Sequence, residues 1–180
     1  DKRAALRKIM EGEDVQRALI FCNRKKDITV LRNSLRRHGF EAEELHGDMA
    51  QHHRTETLAA YKSGKIKLLI CSDVAGRGLD IDGVSHVFNF DVPNNAESYV
   101  HRIGRTGRAG REGRAITLVT SEDAKYLDAI AKLIRVHVPI VPLSEIGAQN
   151  SAPAVHGTPD TPDTPDTPDT PATPDTPATP

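Results

Sequence analysis

Residues 67–82 read Lys-Leu-Leu-Ile-Cys-Ser-Asp-Val-Ala-Gly-Arg-Gly-Leu-Asp-Ile-Asp. The first five are short and apolar on both faces, the pattern of a parallel-sheet strand covered by helices on each side. The next eleven turn polar. They hold a hydroxyl (Ser72), an arginine between two glycines (Arg77) and the carboxylates of Asp73, Asp80 and Asp82. Open parallel sheets bind ligands beyond the carboxyl ends of their strands, where this loop must lie. Ser72 can offer a hydroxyl and an N–H to a phosphate. Arg77 can pair with a carboxylate or a phosphate, and Asp80 can accept from a ribose hydroxyl. The same residues equally suit a tight loop in which Asp80 caps and Arg77 makes a surface pair.

Working outward, similar apolar runs occur at Arg17–Cys22, Val84–Phe90 and Arg114–Thr120, with a weaker strand signal at Glu41–Leu45. Helical patterns fall between them. Lys2 to Met10 precedes the first strand. Ile28, Leu31 and Leu35 keep i, i+3, i+7 spacing, and Gly39 can end that helix in the left-handed conformation. Asp48 with Gln51 has the form of a capping box before a helix to about Lys62, stopped by Gly64. Asn94 with Glu97 repeats that signal before Tyr99, Val100 and Ile103. Ser121 is placed to cap a last helix with Leu127, Ile130 and Ile134 as its buried stripe. This alternation predicts an α/β domain over residues 1–150, a mainly parallel sheet flanked by helices with right-handed crossovers.

Residues 151–180 differ. Thr-Pro-Asp repeats from Thr158, and proline at every third position forbids a helix or a strand ladder and favours polyproline II. A disordered, Pro-rich C-terminal tail is expected. It explains why only 37% of the chain is hydrophobic. It also masks the charge of the body. Five of the 25 acidic residues lie in the tail and none of the 24 basic ones, so residues 1–150 carry a net +4. A mildly basic body permits nucleic-acid binding without requiring it. Cys22 and Cys71 are too few for a disulfide framework and follow apolar runs, so buried thiols in a reducing compartment are expected. No apolar run nears the roughly 20 residues of a membrane span. The N-terminus lacks a signal-peptide core, and a cytoplasmic protein is expected.

Residues 101–108 read His-Arg-Ile-Gly-Arg-Thr-Gly-Arg. Arg105 and Arg108 lie three apart, so in a helical turn they share one face. Gly104 and Gly107 remove bulk beside them. Guanidinium groups are planar, permanently charged forks that suit phosphate oxygens. The pair suits a polyphosphate clamp. Read alone, it equally describes a solvated basic helix end.

Four segments in order, Ala18–Lys25, Gln51–Arg54, Ser72–Ile81 and His101–Gly110, resemble motifs IV, IVa, V and VI of the DEAD-box RNA helicases. Leu45-His46-Gly47-Asp48 and Asn89-Phe90-Asp91-Val92-Pro93 are similar to further segments of that family. The resemblance covers roughly residues 1–140 and is to bacterial members above all. That family pairs two RecA-like lobes, and this chain resembles the second. The 180 residues hold no Gly-x-x-x-x-Gly-Lys-Ser/Thr run, Gly64-Lys65 being followed by Ile66, and no Asp-Glu-Ala-Asp. The phosphate cradle and the magnesium ligands are therefore expected on a first lobe, and the chain looks like a cut at the interlobe linker.

The resemblance implies a role for each matching residue. Arg105 and Arg108 are expected as arginine fingers on ATP bound, with Mg2+, by the first lobe. Asp80 is expected to hold the ribose, and His101 to link the ATP site to the RNA side. Gly47, Gln51, Arg54 and Ser72 are expected to touch the RNA backbone, and Gly76 and Arg77 to support the interlobe contact. Ser72 stands where Thr is commoner, with the hydroxyl kept. Gly76 stands where Ala or Ser is commoner, so no side-chain role carries over. The expected function is ATP hydrolysis coupled to local duplex unwinding, with this chain inactive alone.

The aromatic residues number only seven, and Phe21, Phe88 and Phe90 sit in apolar strands. Without a stacking platform, RNA contact through sugar and phosphate, independent of sequence, is expected. His46, His52 and His53 lack a partner at ligand spacing, so no metal site is expected. Arg24–Lys26 suits an RNA patch or, somewhat better, a solvated helix start. Two rival readings remain at this stage. One is a stand-alone RNA- or protein-binding module. The other makes the tail a docking element for a partner such as a ribonuclease, and ribosomal partners are also compatible.

Overall fold

The computed structural model describes residues 1–76, 79–107 and 112–146. Arg77, Arg108 and the tail lie outside these residues. Five four-residue strands form one sheet: β1 (Ala18–Phe21), β2 (Ala42–Leu45), β3 (Leu68–Cys71), β4 (His86–Asn89) and β5 (Arg114–Thr117). The order is β2-β3-β1-β4-β5, and every pair is parallel. Each strand signal yields a strand, shorter than the run predicted. β1, β3 and β4 are buried throughout, as their two-faced apolar runs require, whereas the edge strand β5 is largely exposed.

The helices are α1 (Lys2–Gly12), α2 (Lys25–Arg37), α3 (Gln51–Lys62), the single turn α4 (Asp73–Gly76), α5 (Ala96–Ile103) and α6 (Ala124–Ile134), with short 3-10 turns at Ser121–Asp123 and Leu143–Glu145. Side-chain alternation along β1 splits the core. Ala18, Ile20 and Cys22 face α1 and α2 through Leu6, Ile9, Ile28, Leu31 and Leu35. Leu19 and Phe21 face Tyr61 of α3 and Ala75 of α4. The Tyr61 hydroxyl donates to the Ala18 carbonyl at 3.0 Å and ties α3 to β1. Ile130 packs with Val92 and Tyr99, flanked by the half-buried Leu127 and Ile134, which is the stripe expected of α6.

Gly39 and Gly64 adopt φ of +84° and +79° and end α2 and α3 as predicted. Three caps differ from expectation. Ala50 precedes α3 without a side-chain cap, because Asp48 pairs with Lys25 from 23 residues away. Asn95, not Asn94, caps α5 by accepting from the Ser98 N–H at 2.7 Å. Thr120, not Ser121, forms a capping box with Asp123 ahead of α6. In the last two cases the neighbouring residue has the same capping chemistry and a better-placed backbone. Cys22 and Cys71 are buried free thiols, and burial pushes both pKa values up. No described helix is long and apolar enough to cross a membrane.

Candidate nucleotide and nucleic-acid interface

Most of the predicted site residues that the structure describes lie beyond the carboxyl ends of the strands or on the helices that follow, whereas Asp80 and Arg105 lie in the segments that lead into β4 and β5. They form two groups. The first sits over β1 and β4, around a shallow depression lined by Phe21, Asp73, Gly76, Ser98, His101, Arg102 and Arg105. His101 is exposed on α5. Arg105 lies past the end of α5, in a turn begun at Gly104, and Arg108, with which a shared helical face is expected, lies outside the described residues. Its Nη1 donates to the Leu79 carbonyl at 3.0 Å and lies 3.4 Å from Asp82 Oδ1. Its backbone carbonyl accepts from Val84 N–H at 3.2 Å.

The turn after α5 is pinned at its foot. Gly107 has φ of +68°, and the Thr106 hydroxyl donates to the Val84 carbonyl. Gly113 comes back so close that a Cβ there would collide with Thr106 Oγ1 and the Gly107 backbone nitrogen. Sequence reasoning passed over Gly113. Gly76 is crowded too, though less, since a Cβ would come within 2.9 Å of the Phe21 ring. Its lack of a side chain is therefore a packing requirement in this chain.

The second group sits over β2 and β3 and is more open. Gly47 is exposed, and a Cβ there would meet nothing within 4 Å. Gln51 begins α3, exposed beside His52 and His53, and Arg54 curls back to donate to the His46 carbonyl at 3.0 Å. Asp48 pairs with Lys25, which holds its carboxyl below the usual range. Ser72 belongs here by position but is only 9% exposed. Its hydroxyl accepts from Ala75 N–H at 3.4 Å, and its carbonyl from Gly76 N–H at 2.8 Å. Asp80 stands apart. It is almost fully exposed and pairs with Lys62 at 3.2 Å. Among the described residues no group of three or more His, Cys, Asp or Glu is placed to hold a metal.

The first group also contains Arg102, which the sequence reading did not single out. It is 1% exposed. Its place three residues after Tyr99 and four after Ser98, both buried, puts it on the inward face of α5 and is the signal that marks it.

The helicase conserved C-terminal domain model matches residues 1–110. The chain belongs to this family, as the C-terminal domain of DEAD-box RNA helicases. It is 43% identical over 139 residues to the RNA helicase CrhR of Synechocystis, covering 77% of this chain and 28% of that protein. To the ATP-dependent RNA helicase RhlB of Pseudomonas aeruginosa it is 42% identical over 134 residues, covering 74% and 34%. The chain thus spans about a third or less of these relatives. Among solved structures it resembles the Escherichia coli DEAD-box protein SrmB bound to the regulator of ribonuclease activity A. The TM-score is 0.71 at 36% identity, covering 84% of this chain and 90% of that one. It also resembles Saccharomyces cerevisiae Dbp5 bound to RNA and ADP BeF3, with a TM-score of 0.74 at 35% identity, covering 81% and 39%. The RecA-like fold of this helicase domain follows from these likenesses and from the parallel sheet.

Proposed function

We propose that the chain is the second lobe of an ATP-dependent RNA helicase. It supplies Arg105 and Arg108 to ATP held with Mg2+ on a first RecA-like lobe, while Gly47, Gln51, Arg54 and Ser72 bind the RNA backbone. The observation that carries this is the gathering of Arg105, His101 and Gly76 round one depression at the carboxyl edge of the sheet. The donors suit a polyphosphate, since Nη1 of Arg105 donates to the Leu79 carbonyl and lies 3.4 Å from Asp82 Oδ1, contacts it can exchange for phosphate oxygens. Asp80, exposed and apart from the depression, meets the ribose. Gly76 and Arg77 support the contact between lobes, and His101 relays between the ATP and RNA sides. Binding is independent of sequence because backbone amides, hydroxyls and arginine meet sugar and phosphate. An RNA strand bent between two closing lobes loses stacking with its partner, so a short duplex opens locally. The RNA and nucleotide of the Dbp5 complex and the bound regulator of the SrmB complex support RNA, ATP and a ribonuclease-linked protein as partner classes.

The test is ATP hydrolysis, with and without RNA, by the chain alone and mixed with a DEAD-box first lobe. Turnover is expected only in the mixture and is expected to be lost with Arg108→Ala. No turnover in a mixture whose first lobe is folded and binds ATP would favour a stand-alone binding module.

A further inference from the structure

Arg102 has no donor left for a ligand. Nε and Nη2 donate to the two carboxylate oxygens of Asp73 at 2.6 and 2.7 Å. Nη1 donates to Asn89 Oδ1 at 3.2 Å and to the Asp91 carbonyl at 2.8 Å, and Nη2 also donates to Asn23 Oδ1 at 2.8 Å. Those five bonds use all five guanidinium N–H groups. The acceptors come from three strand ends: Asn23 follows β1, Asp73 follows β3, and Asn89 and Asp91 end and follow β4. The Phe21 ring lies against the cation, 5.1 Å from centroid to Cζ. The acceptors are themselves anchored. Asn23 donates to the Val92 carbonyl at 2.8 Å, and Asn89 to Thr117 Oγ1 at 3.0 Å.

The location is unusual. The chain leaves β1 toward β2 on one side and leaves β4 toward β5 on the other. A crevice between such diverging strands is where open α/β sheets take their ligands. Here the chain's own guanidinium fills it.

We propose that Arg102 is a positioning residue that couples the Ser72–Gly76 loop to Arg105. Its side chain grips Asp73, the residue after Ser72 and the first of α4. Its backbone carbonyl accepts the Arg105 N–H at 3.2 Å. A shift of either loop is therefore transmitted to the other through one residue. The meaning of the two loops, RNA-facing and ATP-facing, rests on the function proposed above. The mechanical coupling does not. A buried pair replaced by apolar residues commonly keeps its stability, so packing and coupling can be separated.

The first experiment is site-resolved amide hydrogen exchange on this chain with Asp73→Asn, which sets an amide donor against the guanidinium while keeping the shape. Gly76 N–H and Arg105 N–H are expected to exchange faster together, each by about tenfold or more. Faster exchange at Gly76 with Arg105 unchanged overturns the coupling. The second uses the mixture with a first lobe and the double variant Arg102→Met/Asp73→Leu, with its melting temperature checked. Its RNA-stimulated kcat is expected to fall about tenfold or more while the KM for ATP stays within about threefold, a split that lost packing alone does not produce. A folded double variant with the unaltered kcat overturns the proposal. If the unaltered mixture shows no turnover, the helicase reading fails by itself, and the exchange result alone decides the coupling.

Discussion

The two groups of site residues are built in opposite ways. Over β1 and β4 the polar groups at the centre, Arg102 and Asn89, are buried and hydrogen-bonded to one another, with His101 exposed and Arg105 half-buried at the edge. Arg102 is 1% exposed with five bonds, and Gly76 and Gly113 lie where a methyl would collide. Over β2 and β3, Ser72 apart, they are more open, paired at the surface or with open space about them, as at Gly47 and the Lys25–Asp48 pair. Chemistry on a developing charge needs donors held in advance, because misplacement by about 1 Å can cost a hundredfold in rate. Binding a flexible backbone without reading sequence needs only reach and charge. The difference in burial matches the difference in the tasks proposed for the two groups.

The largest expected effect falls on the buried side. Arg102→Leu leaves Asp73 uncompensated beside orphaned amide and carbonyl acceptors, and a loss of about 3–5 kcal/mol is expected, read by urea unfolding. Gly113→Ala forces a methyl into Thr106 and the Gly107 backbone. A cost of about 2 kcal/mol is expected, and a melting curve like the unaltered protein's would show that the turn after α5 yields more easily than its packing implies.

A control comes from the far end of β4. His86 is buried, with Nδ1 on Ser85 Oγ at 3.0 Å and Nε2 3.5 Å from Glu13 Oε2, which also pairs with Arg114. Desolvation lowers its pKa and outweighs the attraction of Glu13. The folded state then holds the neutral ring while the unfolded chain takes up a proton. Stability is full above the ordinary value of 6.5 and is expected to fall as pH drops through it. Thermal melts of the unaltered chain and His86→Gln between pH 7.5 and 5.5 check this, and equal slopes would rule it out. The smallest effect belongs to the open side. Gly47→Ala is expected to leave the melting temperature unchanged, since nothing lies within 4 Å of the added methyl, while weakening RNA binding in a filter assay.

Most of the fold is legible in local pattern. The two-faced apolar runs mark β1, β3 and β4, and glycines at 39 and 64 mark helix ends, because burial and positive φ leave direct traces in residue type. The misplaced caps arise where adjacent residues share the chemistry, as with Asn94 and Asn95, or where a distant partner competes, as Lys25 does for Asp48. The site is legible as a set of positions but not as a geometry. The sequence does not show that α5 stops at Ile103, which leaves Arg105 in the turn beyond it. Arg102 hides among arginines whose family roles face ligands, and its function depends on Asn23, Asp73 and Asn89, which only the sheet order brings together. Gly113 carries no local signal, because what it packs against is the chain six and seven residues earlier.

The most direct test of this division of labour is steady-state ATP hydrolysis against RNA concentration, with the chain joined to a first lobe and with Arg105→Ala and Arg54→Ala compared. Arg105→Ala is expected to lose about a thousandfold or more of turnover even at saturating RNA. Arg54→Ala is expected to reach nearly full turnover but to need about tenfold more RNA. Near-normal turnover for Arg105→Ala, or a loss for Arg54→Ala that RNA cannot restore, would contradict the account.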